Sequence, residues 1–189
     1  MPELDEMLAT LRDVVIRLND LRIVYMVTGS VAMSTYATAR TTMDIDIIIE
    51  LSDRDAARFE QRFAGDYYVD ANSIRRAQDR KSMFNVLNLK TGIKVDFMIR
   101  KPTALEAEKF ERRRSSRLGD VEFYVIGKHD LILSKLNWAK DSHSELQFKD
   151  IRNLIESGED PEKLKIDVNR YGLSEVWEAF SEWKIRIAK

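Results

Sequence analysis

Residues 44–50 read Asp44-Ile45-Asp46-Ile47-Ile48-Ile49-Glu50, a β-branched run with acids at two alternate positions. In a strand alternate residues share a face, so Asp44, Asp46 and Ile48 point one way and Ile45, Ile47 and Ile49 the other. Two carboxylates ~7 Å apart on an otherwise apolar strand repel each other, which costs free energy unless something neutralises them. A third acid, Asp96, stands in Lys94-Val95-Asp96-Phe97-Met98, again inside a β-branched run. If the two strands are neighbours, three carboxylates converge on one patch. Hard oxygen ligands of that kind suit Mg²⁺, which takes a few carboxylates and leaves its other positions to phosphates and water. The plainer alternative is a solvated strand end with edge charges; for a lone Asp it would be preferred, and for the trio it is not.

Hydrophobic period organises the rest of the 189 residues. Leu4, Met7, Leu8, Leu11, Val14, Val15 and Leu18 recur at helical spacing and predict an amphipathic first helix. Residues 23–27 form a short buried strand ending at Thr28-Gly29-Ser30, and 30–36 a short helix. Residues 39–43 are a loop, and a capping-box-like Ser52-Asp53-Arg54-Asp55 starts a helix reaching about residue 63. Strands 84–89 and 93–100 are joined at Thr91-Gly92, a helix opens at 103–106 behind Pro102, and 121–126 is the last strand. Beyond Gly127 everything reads as helical: 131–139, 144–156 behind a Ser144/Gln147 capping box, then two helices broken at Tyr171-Gly172. The expected class is α+β, a mixed β-sheet flanked by helices over 1–126. A helical C-terminal part, 127–189, is expected to pack on that core.

Composition removes several function classes. The 31 Lys+Arg and 32 Asp+Glu leave a net charge of -1, which does not suit a strongly basic nucleic-acid wrapper. The absence of Cys excludes a disulfide framework and any Cys-based zinc site or nucleophile, and fits a reducing compartment. The acidic N-terminus is no signal peptide, and no run approaches a membrane span, so a soluble cytoplasmic chain with no membrane partner is expected. Arg112-Arg113-Arg114 with Arg117 reads as a solvated helix end. His129 and His143 lack metal-ligand spacing, and Trp138, Trp177 and Trp183 read as packing residues.

Gly29-Ser30 lies at a strand-to-helix junction, where a bare Cα admits close approach and helix N–H groups face an anion. Alone this is an ordinary turn. Combined with thirteen intervening residues, Asp44-Ile45-Asp46-Ile47 and the later Asp96, it closely resembles the nucleotidyltransferase superfamily related to DNA polymerase β. Arg40-Thr41-Thr42-Met43 before the acids is similar to the form found in bacterial toxin-type members of the AbiEii group. Lys135-Leu136 and Asp150-Ile151 resemble the lysine and aspartate that those proteins carry in their helical tail.

The tail also stands out by period. Lys135 lies at i+4 from Leu131, and Asp150 at i+4 from Leu146 and i−4 from Leu154, inside apolar stripes where a charge needs a partner or a wet cleft. Mutual pairing is one reading; contact of Lys135 with nucleotide phosphate, oriented by Asp150, is the other.

The resemblance implies transfer of a nucleoside monophosphate from an NTP to tRNA, a protein hydroxyl or a small molecule. It further implies two Mg²⁺ ions, or Mn²⁺ in their place, held by Asp44, Asp46 and Asp96. Gly29 and Ser30 would hold phosphates, and Arg40, Lys135 and Asp150 would complete the nucleotide site. A cognate regulator or antitoxin is the implied protein partner of a toxin-type member. The rival classes are a non-catalytic nucleotide-binding or toxin–antitoxin module and an antibiotic-modifying nucleotidyltransferase.

Overall fold

The computed structural model describes residues 2–38, 44–140, 142 and 144–187, with side chains from residue 4 onward. Arg40 to Met43 and His143 therefore lie outside the described residues. The chain divides into two compact units: residues 1–31 with 40–126, and residues 32–39 with 127–189.

The first unit is built on one seven-stranded sheet of order β3-β4-β5-β2-β1-β7-β6. Its strands are β1 (Tyr25–Thr28), β2 (Ile45–Ile49), β3 (Tyr67–Tyr68), β4 (Met83–Asn88), β5 (Lys94–Ile99), β6 (Arg114–Leu118) and β7 (Val121–Val125). Two pairings are parallel, β2 with β5 and β1 with β7, and the others antiparallel, so the sheet is mixed as expected. The unit's helices are α1 (Pro2–Leu21), the start of α2 (Gly29–Met33), α3 (Asp53–Phe63), α4 (Ala71–Arg80) and α5 (Ala104–Glu111).

Alternation gives the central strands one greasy face. Ile45, Ile47 and Ile49 of β2 share it with Val95, Phe97 and Ile99 of β5, all buried. Helix α3 covers it with Phe59 and Phe63: Phe59 meets Phe97 edge-on at 5.1 Å and Phe84 at 5.5 Å. Each phenyl so buried contributes roughly 1.5–3 kcal/mol relative to an exposed one. Ser52 caps α3 by accepting from the Asp55 N–H, as its sequence predicts. Arg17 of α1, 6% exposed, fastens that helix to the α3–β3 corner through Asp66 and the Arg62 carbonyl, and is itself held by Asp13 one turn earlier on α1. Its guanidinium lies 5.1 Å from the Tyr67 ring centre, where the ring quadrupole attracts it.

Four elements depart from expectation. Helix α2 stops at Met33 rather than 36. Strand β3, helix α4 and strand β6 carry too little apolar period to be seen in sequence. In α4 only Ile74, Ala77 and Gln78 are buried, and β6 is an edge strand with no buried residue. The arginine run is accordingly not one helix end: Arg112 caps α5, whereas Arg114 and Arg117 belong to β6. Between them Arg113 lies over the Tyr124 ring at 4.8 Å.

The second unit holds α6 (Lys128–Ala139), α7 (Glu145–Glu156), α8 (Pro161–Arg170) and α9 (Ser174–Ile187). Phe148, Phe180 and Trp183 form its aromatic centre, with Phe148 5.7 Å from each of the other two rings. Trp177 packs on Phe180 at 5.4 Å, but Trp138 is 64% exposed and is no packing residue. Ser144 stands at the N-cap of α7 without a side-chain capping bond. The Gln147 side chain accepts from Lys135 instead, so the expected box does not close. His129 spans two carboxylates, Nδ1 to Glu159 at 2.8 Å and Nε2 to Asp167 at 2.9 Å, which ties α6 to α8. No described helix is long and apolar enough to cross a membrane.

Candidate functional site

The two acid-bearing strands are neighbours. β2 and β5 run parallel with Asp46 directly beside Asp96, so both carboxylates rise from the same sheet face. Thr28, the last residue of β1, stands opposite Asp46 on the other side. Asp44 lies just before β2 with its side chain 53% exposed, and Asp96 is 7% exposed. Site and greasy core are thus the two faces of the same strands, separated by the period of two.

A cation already stands among these acids. Lys94 is two residues before Asp96 and hence on its face. Its Nζ is 2.9 Å from Asp96 Oδ2 and 3.6 Å from Asp44 Oδ1. The hydrogen bond to Asp96 holds the Lys94 ammonium above the usual lysine range, helped by the charges of Asp96 and Asp44 against a loss of hydration. The second oxygen of Asp96, Oδ1, is buried without a hydrogen-bond partner. Buried acceptors are ordinarily satisfied, and a bare carboxylate oxygen costs more than a neutral one. Among the described residues no three His, Asp or Glu side chains stand together as a metal-binding group. The donor set nonetheless fits a hard cation: carboxylate oxygens only, one of them orphaned, with two of the three carboxylates already beside a positive charge.

Gly29 is required at its place for two reasons. Its φ of +63° is left-handed, and a Cβ there would stand 2.0 Å from Asp46 Oδ2 and 2.8 Å from Asp46 Cγ. The sequence shows the glycine as a place of close approach; the atom that approaches is the carboxylate of the acidic strand. Ser30 follows, buried, in a helix of only five residues. Two residues escaped sequence reasoning. Asn85 of β4 is paired across from Asp96 and exposed on the acid face, and Lys94 is the counter-ion. Lys94 was detectable from the alternation that picked out Asp96; Asn85 needed the strand register. Two clefts of the unit, one lined by Asp53, Glu60, Arg75 and Asp79 and another by Arg22, Glu50, Lys81 and Arg100, contain none of these groups.

In the second unit, Lys135 Nζ donates to Asp150 Oδ2 at 2.6 Å and to Gln147 Oε1 at 3.3 Å. Their side chains are 7% and 5% exposed. The period argument located both charges correctly, although Leu146, counted in the same stripe, is 45% exposed near the start of α7. Each expected nucleotide-binding residue is thus the other's partner.

No family model matches the sequence, and no curated protein matches it. Solved structures do. A candidate nucleotidyltransferase from Thermotoga maritima superposes with a TM-score of 0.53 at 18% identity, over 77% of this chain and 92% of that one. The fold is that of the nucleotidyltransferases. An antigenic nucleotidyltransferase-like protein from Paracoccidioides brasiliensis gives a TM-score of 0.50 at 14% identity over 93% of each chain. The antibiotic-resistance factor ANT(2'')-Ia gives 0.52 at 10% identity, over 97% of this chain and 94% of its own. At these identities the likeness is one of nucleotidyltransferase fold alone.

Two outcomes follow from the geometry. Gly29→Ala lowers stability by about 2–4 kcal/mol, from the left-handed backbone and the displaced carboxylate together. In an Asp46→Ala background the carboxylate contacts are gone, leaving the backbone part and a tight approach to the Asp46 Cβ at 3.0 Å, so the cost falls toward about 1–2 kcal/mol. Denaturant unfolding of the four proteins measures the difference, and equal costs in both backgrounds contradict the close contact. Lys135→Met and Asp150→Leu each strand a buried charge and cost about 3–5 kcal/mol, while the double variant recovers most of it. Additive losses in the same unfolding assay would show that the two charges do not depend on each other.

Proposed function

We propose that the protein is a divalent-cation-dependent nucleotidyltransferase that joins the nucleoside monophosphate of an NTP to an acceptor hydroxyl. The observation that carries this reading is the register of Asp46 beside Asp96, with a buried oxygen of Asp96 lacking a partner. Asp44, Asp46 and Asp96 would hold the ions, two Mg²⁺ or Mn²⁺. A cation there neutralises phosphate charge and lowers the pKa of the acceptor hydroxyl. Asp96 would take the hydroxyl proton, or stabilise it electrostatically as it leaves, while the acceptor oxygen attacks the α-phosphorus. One P–O bond forms, the bond to the β-phosphate oxygen breaks, and pyrophosphate leaves with the electron pair. Gly29 and Ser30 would hold the β- and γ-phosphates through the N–H groups at this strand-to-helix junction and the Ser30 hydroxyl, and Arg40 would offset their charge.

Lys135 and Asp150 belong to this proposal on the toxin-type resemblance. Unchanged NTP affinity in their double variant would remove both from it. The acceptor is tRNA, a protein hydroxyl or a small molecule, and in the AbiEii-type reading a cognate regulator or antitoxin is the partner. The cytoplasm, which holds NTPs and Mg²⁺ together, is the compartment the reading requires. One observation favours a second reading, an antibiotic-modifying enzyme: the likeness to ANT(2'')-Ia spans 97% of the chain. An enzyme of that kind draws a cationic acceptor to acidic surface. A non-catalytic nucleotide-binding module is the third class, and three carboxylates on one face are more than binding alone requires.

Asp44→Asn with Asp46→Asn is expected to abolish Mg²⁺-dependent NTP binding in calorimetry while the fold survives. Equal affinity of wild type and variant contradicts the proposal. Asp96→Asn is expected to lower kcat by about 10²–10⁴-fold, with a much smaller change in NTP affinity. Normal turnover in that variant would return Asp96 to a structural role.

A further inference from the structure

Lys94 has no part in the reaction just described, yet its ammonium occupies the place where one cation touches two of the three carboxylates. The placement has three components. Lys94 and Asp96 share a strand face, so the ammonium meets Asp96 Oδ2 at 2.9 Å without distortion of the backbone. The same nitrogen is 3.6 Å from Asp44 Oδ1, on the segment leading into the neighbouring strand. The Lys94 side chain is 40% exposed, whereas Asp96 is nearly closed off, so the carboxylate is fixed and the cation can leave. A four-carbon stem ending in a strongly hydrated point charge is the side chain best suited to that exchange.

We propose that Lys94 is a positioning residue for cation loading. As internal counter-ion it holds Asp44 and Asp96 near each other before substrate arrives, and it competes with divalent cations for their oxygens. This rests on the nucleotidyltransferase reading above and adds a selectivity to it. A free divalent ion must displace the ammonium with carboxylates alone to reward it. An ion arriving with an NTP also brings phosphate ligands, and the released ammonium is left beside negative phosphate rather than alone. Lys94 therefore discriminates against the bare ion and in favour of the ion–nucleotide complex.

The test is direct binding of Mn²⁺, without nucleotide, to the whole chain, followed by the paramagnetic signal of the free ion. Lys94→Met is expected to bind Mn²⁺ at least about ten-fold more tightly than wild type, a difference of about 1.4 kcal/mol. Lys94→Arg, which keeps the positive charge, is expected to remain near wild type. Affinity for ATP with Mn²⁺ should change far less than affinity for Mn²⁺ alone. Lys94→Gln serves as a second neutral variant should Lys94→Met fail to fold, judged by its unfolding transition in chelator. Mn²⁺ affinity that is unchanged, weakened or undetectable in the neutral variants overturns the proposal. Failure of the underlying reading has another signature: metal-dependent NTP binding that survives Asp44→Asn with Asp46→Asn.

Discussion

Like charges cannot crowd one face of a sheet unless something of opposite sign stands among them, and the acid face of this sheet is built around that requirement. Parallel pairing of β2 with β5 brings Asp46 level with Asp96, and the chain entering β2 adds Asp44. Lys94 supplies the compensating charge from the same strand as Asp96. The absence of a side chain at Gly29 gives the Asp46 carboxylate room against the end of β1. The opposite face of the same strands is filled by isoleucines and by Phe84 and Phe97 under α3, so the carboxylates stand on a rigid support. Side chains held in this way keep their geometry because the strands that carry them are fixed by the core behind.

The parts of the architecture written as local period were legible in the sequence. Alternation in residues 44–50 and 94–98 picked out Asp44, Asp46 and Asp96, and the 3.6-residue period gave α1 and the four tail helices. What escaped depends on contacts far apart in sequence, or on elements too polar or too short to show a period. Strand β6, Arg-Ser-Ser-Arg-Leu, lies at a sheet edge and buries no residue, so nothing in its pattern says strand. Helix α4 buries an isoleucine, an alanine and a glutamine, too narrow a stripe to count. The position of Asn85 opposite Asp96 is set by the β4–β5 register rather than by its own neighbours. The capping box at Ser144 does not form, and Gln147 accepts from a buried lysine that lies twelve residues earlier in the chain.

Lys135 and Asp150 show how far period can be pushed. Both were found because each breaks an apolar stripe, and both are buried. The period says only that each charge needs an answer. In the structure each answers the other at 2.6 Å, an arrangement that a structural pair and a nucleotide-bearing pair share before any ligand is bound. Stability and nucleotide affinity report on different halves of that question, because removal of both charges relieves the burial cost but leaves nothing to hold a phosphate.

The nucleotidyltransferase fold is shared with solved structures at identities of 10–18%, too distant to carry a substrate from one chain to another. The chemistry assigned here rests on this chain's own carboxylates, and its central claim is that the α-phosphoryl group moves together with its nucleoside. The most direct measurement follows the fate of the label when the protein, Mg²⁺ and a cell extract are incubated with NTPs labelled at either the α- or the γ-phosphorus. The account predicts protein-dependent transfer of the α-label to an acceptor, with the γ-label recovered in pyrophosphate. Transfer of the γ-label to the acceptor, or no transfer from any of the four NTPs, would contradict it.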